Sequence, residues 1–132
     1  MENDRVKILI TDTNTNILRK LKQCLEEYGY EVYVENTASK ILLSLKIHCF
    51  DLILLDVTIP ELNVLDVIES IHNINTHTAI ITSNDAANYD LAIETVRRGA
   101  FDMLIKPYDT TSLMLVIQDA LDNSAQIMQD KS

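Results

Sequence analysis

Four polar residues in this chain each close an aliphatic run: ILITD ends in Asp12, DLILLD in Asp56, TAIIT in Thr82 and FDMLIK in Lys106. Two carboxylates, a hydroxyl and an ammonium do one kind of chemistry well if they meet. A carboxylate beside a fixed cation attacks a phosphoryl group, while the ammonium pairs with one phosphoryl oxygen and the hydroxyl donates to another. Such a transfer needs in-line geometry and positive charge around the phosphoryl oxygens, usually completed by a divalent metal with oxygen ligands. A gained phosphoryl group draws such donors inward and reshapes the neighbouring surface. Singly, each residue has an ordinary explanation. Any of Asp12 to Asn14 serves as a helix cap, Asp56 caps the turn before Pro60, Thr82 is a β-former and Lys106 is a solvated charge. What decides is whether the fold gathers them.

The aliphatic runs are Val6–Thr11, Glu31–Glu35, Asp51–Asp56, Thr78–Thr82 and Phe101–Ile105, and helical patterns alternate with them. The first helix carries Ile17, Leu18, Leu21, Cys24, Leu25 and Tyr28 on one face and stops at Gly29, a left-handed C-cap. Ala38, Ile41, Leu42 and Leu45 mark a second helix, and Leu65, Ile68 and Ile71 a third. A fourth runs from about Ala87 to Arg98 before Gly99, and a fifth carries Leu113, Val116, Ile117, Ala120 and Leu121. Repeated strand–helix alternation predicts an α/β fold, a three-layer, doubly wound, five-stranded parallel sheet. The continuous apolar stretches at 8–10, 52–55 and 79–81 suit central strands buried on both faces. In such sheets ligands bind beyond the carboxyl ends of the strands, where the four residues stand. Pro60 and Pro107 follow them closely and fix the loops, and the Lys106–Pro107 bond is a candidate cis peptide.

At 132 residues, 47% of them hydrophobic, the chain is one domain with an aliphatic core. Two Phe, five Tyr and no Trp argue against an aromatic ligand cavity. A formal charge of −9 speaks against direct nucleic-acid binding, and no apolar run approaches the ~20 residues of a membrane span. The start ENDR is unlike a secretory signal, and Cys24 and Cys49 lack CxxC spacing, so a cytoplasmic protein with reduced thiols is expected. The histidines, His48, His72 and His77, sit outside the strand ends, which leaves a hydrolase without a base for its nucleophile.

The segments KILITD, DLILLDVTIPELNVLDVI, AIITS and GAFDMLIKPY, in that order, resemble the receiver domain of bacterial two-component response regulators over residues 5 to about 125. The resemblance implies the flavodoxin-like strand order 2-1-3-4-5. It implies a phosphoacceptor Asp56, a hydroxyl switch at Thr82, and a phosphate-sensing Lys106 before a cis Pro107. It also implies a Mg2+ site at Asp12, Asp56 and the backbone carbonyl of Thr58. Enzymatic activity would extend at most to the domain's own phosphorylation and dephosphorylation. Residues 126–132 would be a polar tail or the start of a linker to an output domain. The stretch DLAIETVRRGAFDMLIKPYDTTSL is similar to receivers in front of enhancer-binding transcription activators.

The chain departs from the receiver pattern at three positions. The acidic pair after the first strand reads Asp12-Thr13, Val64 stands where glycine is usual, and the aromatic switch position three before the lysine is Met103. Thr13 offers magnesium a neutral hydroxyl in place of a carboxylate, which predicts a weak site with more waters. Two readings follow, a phosphorylation switch and a degenerate receiver acting as a phosphorylation-independent interaction module. The retained Asp56, Thr82 and Lys106 favour the first. A flavin-binding role is the rival from another class, because TDTNTN is similar to the phosphate loop of flavodoxins; Asp12 and the lack of glycine in the loop oppose it. The partners implied are a sensor histidine kinase or phosphotransfer protein near Asn16 and Arg19 to Lys22, and a target at helix four, strand five and helix five. Leu115 and Met114 there are candidates for a homodimer contact.

Overall fold

The computed structural model describes residues 5–130, and the side chains of 5–127. Residues 1–4 of the acidic start and 131–132 of the predicted tail lie outside that range. Five strands, β1 (Lys7–Thr11), β2 (Glu31–Glu35), β3 (Leu52–Asp56), β4 (Ala79–Asn84) and β5 (Asp102–Ile105), form one sheet in the order β2-β1-β3-β4-β5. Every pairing is parallel. Helices α1 (Thr15–Glu27), α2 (Ala38–Ile47), α3 (Val64–Ile74), α4 (Tyr89–Arg97) and α5 (Thr110–Asp130) connect and cover it. This is the predicted three-layer, doubly wound fold.

Strand periodicity divides the core in two. Ile8, Ile10, Leu52, Leu54, Ile81 and Leu104 face α1 and α5, where they meet Leu18, Leu21, Leu25, Leu113, Ile117 and Ala120. Leu9, Ile53, Leu55 and Ile80 face the other way, against Ile41 of α2, Val67, Ile68 and Ile71 of α3, and Leu91 of α4. Burying each of these aliphatic side chains is worth about 1.5–3 kcal/mol, which is why short strands with little polar character are held centrally.

Local chemistry sets the helix ends. Asn14, not Asp12, caps α1, its side chain accepting from the N–H groups of Asn16 and Ile17. Thr37 caps α2 and Asn63 caps α3 in the same way. Gly29 follows α1 at φ 92°, the left-handed conformation expected of it.

Several sequence expectations need correction. β4 runs past Thr82 to Asn84, because Ser83 O accepts from Val57 N–H (3.0 Å) and Asn84 O from Lys106 N–H (2.7 Å). β5 begins at Asp102, after Phe101 N–H has already bonded Ile80 O. Ile17 of α1, Tyr28 at its C-cap and Leu42 of α2 are exposed, outside the narrower stripes that touch the sheet. The segment read as a polar tail from residue 126 continues α5 to Asp130. Among the described residues no helix is long and apolar enough to cross a membrane.

Candidate functional site

The carboxyl edge of the sheet carries the site. Asp12 follows β1 and Asp56 ends β3; both are buried, at 2% and 0% exposure. Lys106, directly after β5, reaches them across β4. Its Nζ donates to Asp56 Oδ2 at 2.5 Å and lies 3.0 Å from Asp12 Oδ2. The approach to Asp12 is an ion pair off the hydrogen-bond direction, so that oxygen is left without a hydrogen-bond donor. Burial alone would push the Lys106 ammonium down. Its hydrogen bond to Asp56 and then its contact with Asp12 outweigh burial and hold its pKa above the ordinary lysine value.

Each carboxylate is aimed by its second oxygen. Asp12 Oδ1 accepts from Asn14 N–H at 2.9 Å, which ties it to the start of α1 and turns Oδ2 toward Lys106. Asp56 Oδ1 accepts twice from Thr58, from its N–H at 2.9 Å and its hydroxyl at 2.8 Å. Beneath them the buried Thr11 hydroxyl donates to Leu54 O and accepts from Asp56 N–H (2.8 Å), pinning the end of β3 to β1. Thr11 was not singled out in the sequence, since its position within an apolar run reads simply as β-propensity. Tyr108 packs against the site, and burial, followed by the charges of Asp12 and Asp56, raises its phenol well above the usual range.

The structure joins Asp12, Asp56 and Lys106, but it does not bring Thr82 to them. Thr82 lies two residues before the end of β4, on the α4 side, where its hydroxyl shares a 3.0 Å hydrogen bond with Thr95 of α4. At about 3.3 Å per strand residue, it sits some 7 Å short of the edge. The polar side chains that close β4 are Ser83, in register with Asp56, and Asn84. The signal was length: DLILLD and TAIITS are equal runs, and laying them side by side puts Ser83 opposite Asp56. Thr13 is exposed, and Met103, half-buried on β5, has its N–H bonded to Asp102 Oδ1. The Lys106–Pro107 bond is cis.

Among the described residues two buried side-chain atoms at this edge, Ser83 Oγ and Asn84 Oδ1, lack a hydrogen-bond partner, and Asp12 Oδ2 has only its ion pair with Lys106. Buried polar atoms in that condition take a water, an ion or a ligand as partner. Hard carboxylate oxygens suit Mg2+, which is bound through one or two carboxylates plus waters and phosphate oxygens.

Residues 8–118 match the response regulator receiver domain. The chain belongs to that family. The receiver is 34% identical over 116 residues to the regulatory protein AtoC of Escherichia coli, covering 87% of this chain and 25% of that protein. It is 33% identical over 117 residues to the DNA-binding transcriptional regulator NtrC of Azospirillum brasilense, covering 89% of this chain and 24% of NtrC. The chain thus spans about a quarter of the length of these curated relatives. Among solved structures, a receiver domain from Methanospirillum hungatei superposes with a TM-score of 0.85 at 28% identity, over 93% of this chain and 98% of its own. One from Clostridium thermocellum gives 0.85 at 29%, over 92% and 98%. The receiver is a phosphoacceptor signalling domain of a two-component system, and the flavin-binding alternative is not favoured.

Proposed function

We propose that Asp56 is the phosphoacceptor of this receiver and that Lys106 is the cation that reads its state. The observation that carries this is the contact of one ammonium with two buried carboxylates at the carboxyl edge of the sheet. Asp56 Oδ1 is held by Thr58, so Oδ2 is the oxygen free to attack once Lys106 shifts away from it. In-line attack on a phosphohistidine of a sensor kinase or phosphotransfer protein forms the O–P bond as the N–P bond breaks, and the imidazole leaves with a proton. Lys106 then pairs with a phosphoryl oxygen, and the movement passes along β5 to α4 and α5.

Asp12, Asp56 and the Thr58 carbonyl would hold Mg2+, with exposed Thr13 adding no charge. When bound, the ion neutralises the phosphoryl oxygens during transfer. The domain acts in the cytoplasm and is not an enzyme towards other molecules. The kinase docks near Asn16 and Arg19 to Lys22, at the mouth of the site. The α4-β5-α5 face serves output, with Leu115, 63% exposed, as its contact to a second copy or to an output domain.

The test is treatment with a small phosphodonor and Mg2+, followed by intact mass. The wild type gains one phosphoryl group and Asp56→Asn gains none. A wild type without the gain, or an Asp56→Asn variant that keeps it, refutes the assignment.

A further inference from the structure

Helix α2 is apolar on both of its sides. Ile41 is fully buried, and buried Ser44 donates to the Glu35 carboxylate of β2 at 3.1 Å, which fixes that side against the sheet. The outer side carries Leu42, Leu43 and Ile47, which are 44%, 56% and 64% exposed. Helix α1 shows the usual arrangement, with Arg19, Lys20, Gln23, Glu26 and Glu27 turned to solvent. A single exposed leucine is ordinary, but a helix apolar all round is normally covered all round. Three large aliphatic side chains on one ten-residue helix form a patch, and patches of that kind mark contact surfaces.

Beside this ridge, between α2 and α3, runs a groove of about 780 Å³. Leu42 and Leu45 line it from α2, Val67 and Ile71 from α3, and Ile53 from β3 beneath. Ile74, at the end of α3 and 82% exposed, extends the same apolar lining. The two helices differ in charge. Lys40 and Lys46 stand on α2, Asp66 and Glu69 on α3 and Glu61 in the loop before it, all of them exposed. Among the described residues none of the five has an ion-pair partner.

A second copy of this chain answers all three features. An isologous contact requires one surface to offer both the part that inserts and the part that receives, and α2 supplies a ridge beside a groove. A two-fold arrangement with each ridge in the other's groove turns the lysines of one α2 toward the acids of the other α3, twice over. The charges then attract on this face, although the whole chain carries −9. A strongly acidic or basic partner would oppose one of the two helices. An apolar small molecule in the groove would leave Leu43, which lies outside it, in water. We propose that the α2–α3 face is a self-association surface through which two copies of this receiver pack about a two-fold axis. It is distinct from the α4-β5-α5 face and calls for no chemistry at Asp56.

The test is sedimentation equilibrium of the unphosphorylated 132-residue chain from low micromolar to sub-millimolar concentration, with Leu43→Lys, Ile47→Lys and Leu115→Lys alongside. The wild type should reach a dimer, and each α2 substitution should raise its dissociation constant about tenfold or more, the effect of losing one central contact. Leu115→Lys should leave it within about twofold. All three positions are exposed, so the dilute variants should keep the wild-type Tm, and a lost dimer is then not a lost fold. Hydrogen exchange of the wild type at the two ends of the concentration range gives a second reading without any substitution. Amides of α2 and α3 should gain protection on concentration, and those of α4 and α5 should not. A wild type that stays monomeric overturns the proposal, as does a dimer that both α2 variants keep or one that only Leu115→Lys disrupts. A monomer that binds a fluorescent apolar probe, with binding lost in Ile47→Lys, would give the groove to a small amphiphile and overturn it as well.

Discussion

Replacing Lys106 by Met removes the one cation shared by two buried carboxylates. The ammonium contacts Asp56 at 2.5 Å and Asp12 at 3.0 Å, and those side chains are 0% and 2% exposed. At an effective dielectric constant of about 20, the two contacts represent roughly 6.6 and 5.5 kcal/mol of attraction before desolvation is subtracted. Most of that is offset, but breaking a buried pair by deleting one partner still costs about 3–5 kcal/mol, because the remaining charge is stranded. The lysine side chain is 24% exposed, so water reaches the gap and the expected loss is at the lower end, about 2–4 kcal/mol. For a domain of this size that is a fall in Tm of roughly 8–16 °C. Adding Asp12→Asn to Lys106→Met removes the repulsion between the carboxylates and should recover about half of the loss, an interaction energy readable as a double-mutant cycle. Urea and thermal melts of the three variants at neutral pH make the measurement. A loss below about 1 kcal/mol for Lys106→Met, or a double variant no more stable than the single, would refute the claim that one lysine holds both acids in place.

Two further predictions concern the backbone that frames the site. Glu61, in the loop after Asp56, is exposed and adopts φ 66°, a left-handed conformation that costs an ordinary residue about 1–2 kcal/mol. Glu61→Gly should therefore raise the urea midpoint by the equivalent of about 0.5–1 kcal/mol with an unchanged m-value, and a lowered midpoint would contradict the strain. Gly99, after α4, has φ 126°, and a Cβ there would collide with the His72 ring. Gly99→Ala should destabilise by about 3 kcal/mol in chemical melts, and adding His72→Ala should relieve the collision but not the backbone strain.

The fold was legible because the central strands read as unbroken aliphatic runs, a pattern produced only when both faces are covered. The meeting of Asp12, Asp56 and Lys106 followed from the rule that parallel strands present their carboxyl ends together. What escaped was register. Ser83 and Asn84 are weak strand formers, and their strand state comes from backbone bonds to Val57 and Lys106, partners far away in sequence. Ending β4 two residues early put Thr82 at the edge, when it actually lies beneath α4. The extension of α5 escaped for a related reason. NSAQIMQD lacks an apolar stripe, but buried Ser124 donates to the His77 carbonyl and fastens that turn to the loop before β4.

Register also changes how Thr13 should be weighed. If the hydroxyl of the site stood at Thr82, the loss of an acid at position 13 would fall on a site otherwise complete, and metal affinity alone would decide whether it switches. The structure distributes the work differently. Thr13 is exposed, whereas the buried carboxylates Asp12 and Asp56 are held by Asn14, Thr58 and Thr11, and Lys106 is held by the carboxylates. An acid at the mouth adds charge for a cation arriving from solvent, and its energy is screened by water and salt. The buried groups act in a medium where a single hydrogen bond or ion pair counts for more and where an unused hydroxyl has a standing penalty. A neutral residue at 13 would therefore weaken the recruitment of the proposed metal while leaving the contacts between Lys106 and the two carboxylates intact. On the proposed reading, switching therefore turns on the contacts that Lys106 makes with the two carboxylates, which Thr13 does not touch.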